Sequence, residues 1–340
     1  MNLLPAYDYD LSVVIVVLNV RDLLQECLQS LLEECDRLPV DVTTEVLVVD
    51  NGSSDGTAQM VAREFSGSSV PVRLIRSEVN LGFAAANNVA MEAALGRYIV
   101  PLNSDAFFHP GSLRLALEHM ESTPDVGIGA ARLVGRNGEW QPSARTFHTI
   151  WRDAIVYSGL STRFPRSRIF GAPDRTWADQ NEPAEVDWAP GAFLIIRREV
   201  LVKIGLFDED YFVYGDDVDL CRRAKNAGFR TYYWPDVVVT HIGGETTRKI
   251  KSVIFAETGA QVELWRMRSI LMYYRKHHGW QAWLMRWLEE GLYTLRSIRN
   301  FRSSDPARRE RGRDAAVRAR LMRQAWRETR GGRVSPPRPW

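Results

Sequence analysis

The sequence predicts an α/β protein built on a doubly wound, mainly parallel sheet, with a helical C-terminal extension. Three observations carry that reading. β-Branched apolar runs alternate with segments of helical period over the first 130 residues. Polar side chains collect where those runs end, the edge at which such sheets bind ligands. From Gln261 onward the pattern changes to Arg- and Trp-rich stretches of helical period. Composition agrees: of 340 residues, 45% are hydrophobic and 25% charged, which excludes disordered, collagen-like and coiled-coil chains. The length allows one large or two ordinary domains.

The elements follow in order. Ser12–Leu18 (SVVIVVL) is a strand buried on both faces. Leu24, Cys27, Leu28, Leu31 and Leu32 then recur at helical spacing. Glu45–Val49 is a second strand, ending at Asp50-Asn51-Gly52, and Ser54-Asp55-Gly56-Thr57 opens a helix carrying Met60, Val61 and Phe65. Val72–Arg76 is a third strand, Gly82–Leu95 an Ala-rich helix closed by Gly96, and Tyr98–Leu102 a fourth strand leading into Asn103-Ser104-Asp105. Residues 132–190, rich in Arg, Trp, Pro and Ser, read as long loops over the sheet edge. A strand at Ala192–Arg197 and a short helix at Glu199–Ile204 follow, then an acidic-aromatic stretch and a helix from Asp216 to Ala227. Two strands, Phe229–Trp234 and Val237–Thr240, deliver His241 and Gly243-Gly244.

The polar residues Asn19, Asp50, Asn51, Asn103 and Asp105 all fall at predicted strand ends. A single acid there is a helix cap or turn former, but several at one edge point to a site. The first strand is not followed by GxGxxG, and GxxxxGK[ST] is absent, which removes the main support for a dinucleotide dehydrogenase or a P-loop NTPase. Six acids lie between Asp208 and Asp219, interleaved with Phe207, Tyr211, Phe212 and Tyr214. So many like charges repel unless a cation or a proton-bearing substrate offsets them. Asp216 and Asp217 occupy the first turn of a predicted helix, where the dipole favours an ionised carboxylate; simple capping is the plain alternative. His241 ends an apolar strand, either as a structural hydrogen bonder or, if the fold brings Asp105 close, as a metal ligand.

Six segments, in order, carry a family resemblance: SVVIVVLN (12–19), VLVVDNGSSDGT (46–57), NLGFAAANN (80–88), YIVPLNSDA (98–106), DWAPGAFLIIRR (187–198) and GLFDEDYFVYGDDVDLCRRAKNAGF (205–229). Over roughly residues 10–245 the chain resembles the GT-A fold inverting glycosyltransferases of family 2, and within them bacterial rhamnosyltransferase-type enzymes of cell-surface polysaccharide synthesis. The resemblance implies a nucleotide-diphosphate-sugar donor, deoxythymidine-diphosphate-rhamnose or alternatively a UDP- or GDP-sugar, and a lipid-linked saccharide acceptor. It also implies roles. Asn19, Asp50 and Asn51 lie at the nucleotide, Asn80 and Gly82 on the loop passing the donor, and Trp188, Gly191 and Ala192 at the acceptor wall. Asp217 takes the general-base position, beside Asp216. Asn103 and Asp105 stand in the family's DxD-like motif, whose final acid, Asp105, holds a divalent cation, Mg²⁺ or Mn²⁺, with His241 completing the shell. The first acid of that motif is an amide here, which weakens the implied cation site, and His241 tilts the choice toward Mn²⁺.

The implied organisation is a catalytic domain over 1–250, with a nucleotide-sugar half at about 10–130 and an acceptor half at 131–250. An amphipathic helical extension spans 251–302, and a basic, disordered tail 303–340. Charge divides along the same line. Residues 261–340 hold nineteen basic and seven acidic side chains, a balance of +12, within a chain of net +2. Trp265, Met267, Leu271, Tyr273, Trp283, Trp287, Leu292 and Tyr293 among Arg and Lys fit a peripheral membrane contact through 261–302 better than nucleic acid, although half the stripe packs on the catalytic domain in the plainer reading. Three cysteines without CxxC spacing fit a reducing compartment, no signal peptide or membrane span is seen, and the expected location is cytoplasmic, at the inner face of the cell membrane. A nucleotidyltransferase or a non-catalytic nucleotide-sugar binder are the readings of another class. The first would need a Gly-rich loop with Lys after the first strand, where Leu18-Asn19-Val20-Arg21 stands; the second would not need the Asp216-Asp217 pair. Oligomeric state is not legible.

Overall fold

The computed structural model describes residues 7–243 and 258–337. Strands β1 (Tyr9–Val17), β2 (Thr44–Asn51), β3 (Val72–Ser77) and β4 (Gly96–Asn103) alternate with helices α1 (Arg21–Cys35), α2 (Thr57–Glu64) and α3 (Phe83–Ala93). β1 pairs in parallel with β2 and β4, and β2 with β3. The register sets Val17 beside Asp50 and Val16 beside Asn103, so three strand ends finish at one level. Further along come β5 (Ala106–Phe108), α4 (Ser112–Ser122), β6 (Val126–Val134), β7 (Trp140–Gln141), α5 (Ile150–Ser158), α6 (Leu160–Arg163) and β8 (Ala184–Val186). They are followed by β9 (Leu194–Arg197), α7 (Arg198–Ile204), α8 (Asp216–Asn226) and β10 (Arg230–His241). All strands join one ten-stranded sheet in the order β3-β2-β1-β4-β9-β6-β10-β5, with β7 on β6 and β8 on β10. β9 is antiparallel to both neighbours, so the sheet is parallel in its first half and mixed beyond.

Both faces are covered, which explains the unbroken apolar character of β1. Val13, Ile15 and Val17 pack with α1, α2 and α4 on one face, while Val14 joins α3, α7 and α8 on the other. Two sequence readings change. The two C-terminal strands are one: Pro235 has no N–H for the ladder, and a register shift between Trp234 and Val238 absorbs it. Gly96 does not close α3, which ends at Ala93; it opens β4, where an added Cβ would lie 2.6 Å from the Ser12 backbone nitrogen.

The C-terminal segment forms three helices: α9 (Thr258–His278), α10 (Gln281–Phe301) and α11 (Pro306–Glu328). α9 is largely core, with Leu264, Trp265, Met267, Leu271, Met272, Tyr273 and Tyr274 buried. The expected disorder beyond Ser303 is corrected by α11, capped by Asp305, whose carboxylate accepts the Ala307 N–H at 2.9 Å, and started by Pro306. Its apolar stripe is Ala315, Ala319, Met322 and Ala325, which packs with Leu264, Met267, Leu271 and Tyr293. Small side chains at helical spacing among many arginines hide such a stripe from a compositional reading. The boundary expected at residue 250 and Gly244 lie outside the described residues.

Candidate functional site

The first group of predicted residues is joined across the ends of β1 and β2 and the loop before α3. Asn19, at φ 55°, receives the Ser54 N–H on Oδ1 at 2.8 Å and donates its own N–H to Ser53 Oγ at 3.0 Å. Ser53 N–H in turn donates to the buried Asp50 carboxylate at 2.9 Å. Asn51 Nδ2 donates to Asn80 Oδ1 at 2.9 Å, and Asn51 Oδ1 accepts the Leu81 N–H at 2.8 Å. Asn80 Oδ1 also accepts the Gly82 N–H. Gly82 has φ 88°, and a Cβ there would sit 2.6 Å from the Phe212 ring and 2.7 Å from its carbonyl oxygen. Phe83 N–H donates to that carbonyl at 2.7 Å, so this loop is docked directly on the acidic-aromatic segment.

A second group gathers at the ends of β4 and β10. His241 Nε2 lies 3.2 Å from Asn103 Nδ2 and 3.5 Å from Asp105 Oδ1. The other ring nitrogen, Nδ1, faces Gln141 Oε1 at 3.1 Å, and Gln141 Nε2 donates to the His241 carbonyl at 2.7 Å. An amide oxygen only accepts, so Nδ1 carries the proton and Nε2 offers its lone pair inward. There it accepts from the Asn103 amide at 3.2 Å, with an Asp105 oxygen at 3.5 Å. Asn103 Oδ1 is buried and has no hydrogen-bond donor among the described residues. A carboxylate, an imidazole nitrogen and an orphaned amide oxygen are ligand types that a divalent cation takes. The described residues contain no cluster of three His, Cys, Asp or Glu side chains able to hold a metal, so such an ion would draw its remaining ligands from a bound diphosphate or water.

The third group surrounds the start of α8. Tyr214 at φ 64° and Gly215 at φ 85° turn the chain so that Asp216 and Asp217 begin the helix. Asp217 accepts the Val218 N–H on Oδ1 at 2.8 Å and the Gly191 N–H on Oδ2 at 3.2 Å. Burial pushes both carboxyls up. Asp216 goes further, raised well above the usual range by burial and by the Asp217 charge beside it. For Asp217 the two amides, then Arg145 and His148, oppose the effect of burial. The two backbone donors favour the charged form of Asp217, whereas burial and the neighbouring charge disfavour a charge on Asp216.

Of the remaining acids of the cluster, Asp208, Asp210 and Asp219 pair with basic side chains, and Glu209 is held by an amide. Lys276 of α9 pairs with Asp208 and with Asp210, the latter at 2.7 Å. Asp219 accepts from His277 at 2.7 Å and from Arg223 at 2.7 Å, which hold its carboxyl below the ordinary value despite burial. Glu209 accepts from Asn88 Nδ2 at 3.1 Å. α9, through Lys276 and His277, thus supplies partners to Asp208, Asp210 and Asp219, while Asp216 and Asp217 stand side by side as a carboxylate pair.

Residues 191–192 link the second and third groups. Ala192 accepts the Asn103 N–H at 3.0 Å, while Gly191 donates to Asp217. Trp188 is buried behind them, its indole N–H on the Thr146 carbonyl at 2.9 Å and the Arg145 guanidinium 5.1 Å from its ring centroid. Arg145, His148 and Gln141 escape sequence reading because they come from the irregular 132–190 region. Their partners, Asp217 and His241, are 69 or more positions away, and no local spacing marks them.

Comparison with known proteins identifies the family and the fold. The family model for glycosyl transferase family 2 matches residues 12–205. An N-acetylglucosaminyl-diphospho-decaprenol L-rhamnosyltransferase of Mycobacterium tuberculosis is 30% identical over 281 residues, covering 78% of this chain and 86% of that protein. Glycosyltransferase AglE of Haloferax volcanii is 26% identical, covering 76% of this chain and 75% of that protein. Among solved structures, the mannosyltransferase PcManGT from Pyrobaculum calidifontis, in complex with GDP-Man and Mn²⁺, superposes with a TM-score of 0.56 at 18% identity, covering 95% of this chain and 90% of that one.

Proposed function

The chain belongs to glycosyl transferase family 2, and from that premise we propose that it transfers rhamnose from deoxythymidine-diphosphate-rhamnose to a hydroxyl of a lipid-linked saccharide, with inversion, in the synthesis of a cell-surface polysaccharide. One observation carries the catalytic part of this reading. The 191–192 loop hydrogen-bonds both Asp217 and Asn103, so the carboxylate pair and the Asp105–His241 pocket share one wall. The acceptor identity is supported by the M. tuberculosis relative, whose name specifies a polyprenyl-diphosphate-linked amino sugar. Such an acceptor is presented at the inner face of the cell membrane.

Asp217, ionised and held by two backbone amides, takes the proton of the attacking hydroxyl. Asp216 keeps a proton and so spares the site a second negative charge. Asn19, Asp50 and Asn51 line the nucleotide end, and the Asn80–Gly82 loop borders the donor. Trp188, Gly191 and Ala192 wall the acceptor. Asp105, His241 and Asn103 Oδ1 would hold the divalent cation, of which Mn²⁺ suits the imidazole best. A cation there supplies positive charge against the leaving diphosphate. No enzyme nucleophile is required, because a single displacement inverts the sugar carbon.

Thermal unfolding with deoxythymidine, uridine and guanosine diphosphates, each with and without Mn²⁺, tests the donor. The expected result is the largest rise in Tm with deoxythymidine diphosphate plus Mn²⁺. A larger rise with uridine or guanosine diphosphate overturns the base assignment, and no rise with any of them overturns the nucleotide site.

A further inference from the structure

We propose that the α10–α11 layer is a docking surface for an anionic lipid bilayer, in which an apolar helix face enters the interface and two arginine-lined clefts receive phosphate headgroups. The inference rests on the lipid-linked-acceptor reading for its purpose and on separate observations for its substance.

α10 has two unlike faces. Ala282, Met285, Glu289 and Tyr293 point inward and are buried. On the outer side Trp283, Trp287, Leu295, Ile298 and Phe301, with Trp280 just before the helix, are each 47–69% exposed. Their spacing of three, four, seven or eight residues keeps them on one stripe. A helix of 21 residues makes that stripe about 30 Å long, far more than the scattered apolar residues of an ordinary surface. Trp265 of α9 is not part of it: that ring is buried against Phe212, at 4.5 Å between centroids, and under the Arg268 guanidinium at 4.2 Å. Contact through the whole 261–302 segment therefore narrows to α10.

Two arginine-lined clefts lie along the seam between α10 and α11. One, of about 500 Å³, is lined by Arg286, Arg320, Arg323 and Arg327 with Gln324 and Trp326. Glu290 supplies a carboxylate to both Arg286, at 3.3 Å, and Arg323, at 3.6 Å, so positive charge is in excess there. The Arg286 guanidinium lies 4.6 Å from the Trp287 ring centroid and 5.2 Å from that of Trp326, which joins this cleft to the exposed aromatics. The second cleft, of about 490 Å³, is lined by Arg296, Arg299, Arg308, Arg311 and Arg318 together with Tyr293, Asn300, Asp314 and Ala315, and Glu263 lies 3.9 Å from Arg318. Guanidinium forks fit phosphate oxygens. Tryptophan and aliphatic side chains beside them fit the headgroup–acyl boundary. Single-stranded nucleic acid would use the arginines and could stack on the tryptophans, but Leu295 and Ile298 offer it nothing. Among the described residues no helix is long and apolar enough to cross a membrane, so this contact would be peripheral.

The test uses the full chain and sedimentation with vesicles of phosphatidylglycerol and phosphatidylcholine against phosphatidylcholine alone, at 0.05–0.5 M salt. We expect binding to the anionic vesicles only, weakening with salt, with a blue shift of tryptophan emission. R320Q/R327Q should lower vesicle affinity about 25-fold, roughly fivefold per arginine. W283S/W287S should abolish the blue shift; both variants alter exposed side chains and should keep the wild-type unfolding midpoint. Equal binding to both vesicle types, no binding, or wild-type affinity in both variants overturns the proposal. So does tighter binding of a single-stranded RNA at equal salt, which would reassign the arginines. Nucleotide-diphosphate binding is measured without vesicles, so failure of the docking surface and failure of the donor reading are told apart.

Discussion

Replacing Asp217 with asparagine removes the proposed proton acceptor while nearly preserving its shape. The structure gives the side chain two backbone donors, Val218 N–H at 2.8 Å and Gly191 N–H at 3.2 Å. An asparagine oxygen can keep the shorter bond, and its amide nitrogen then faces Gly191, losing the longer one. That loss costs about 1 kcal/mol. Relief of a buried charge beside Asp216 acts in the opposite direction, so the unfolding midpoint should move by no more than a few degrees. Transfer should fall far more, by about 10²–10⁴-fold, or roughly 3–5 kcal/mol of activation free energy. The assay is release of nucleoside diphosphate in the presence of acceptor, alongside nucleotide binding by thermal shift. Near-normal nucleotide binding with this drop in kcat is the expected result. Activity within tenfold of wild type, in a folded protein, would refute Asp217 as the base. Equal loss of nucleotide binding and of transfer would refute its role on the acceptor side.

Asp216→Asn should leave the acid limb of the pH–rate profile in place, because the asparagine is as neutral as the protonated acid it replaces; a limb displaced to lower pH would mean that Asp216 is ionised during turnover. The same variant should melt higher than wild type at pH 8, with the difference vanishing toward about pH 4, since a carboxyl with a raised folded-state pKa loses stability as pH climbs above its unfolded value. Gly82→Ala forces a side chain to φ 88° and into Phe212, and should lower the unfolding midpoint by several degrees; an unchanged midpoint would show that the 80–83 loop is not docked as described. His241→Ala should raise the Mn²⁺ concentration needed for half-maximal transfer about 10–100-fold, and Asn103→Asp should lower it; metal titration that ignores both changes would exclude this pocket as the cation site.

The parallel half of the fold is legible in local pattern because strands buried on both faces must be continuously apolar and the helices between them must be amphipathic. SVVIVVL and the Leu24–Leu32 spacing satisfy those demands without help from distant residues. The residues at the strand ends are legible for the same reason: once β1, β2 and β4 are placed in parallel, Asn19, Asp50, Asn51 and Asn103 must share an edge. Beyond that half the sequence is less explicit. Pro235 looks like the end of a strand, and only pairing with β6 shows that the strand bulges and continues. The Arg-rich stretch after Ser303 looks solvated until α9 and α10 supply an apolar surface for Ala315, Ala319 and Met322.

Charge gives the clearest contrast. The sequence alone determined that acids crowd residues 208–219 and that bases crowd the C-terminal segment, since composition and order need no folding. Tertiary structure decided which of those charges meet. Lys276 and His277 return to Asp208, Asp210 and Asp219 from about 60 residues away, leaving Asp216 and Asp217 as the carboxylate pair at the edge. Gln141 likewise reaches His241 across the sheet and sets which nitrogen faces Asp105. Coulomb and hydrogen-bond energies depend on distance in space, within a few ångströms, and separation along the chain carries no record of that distance.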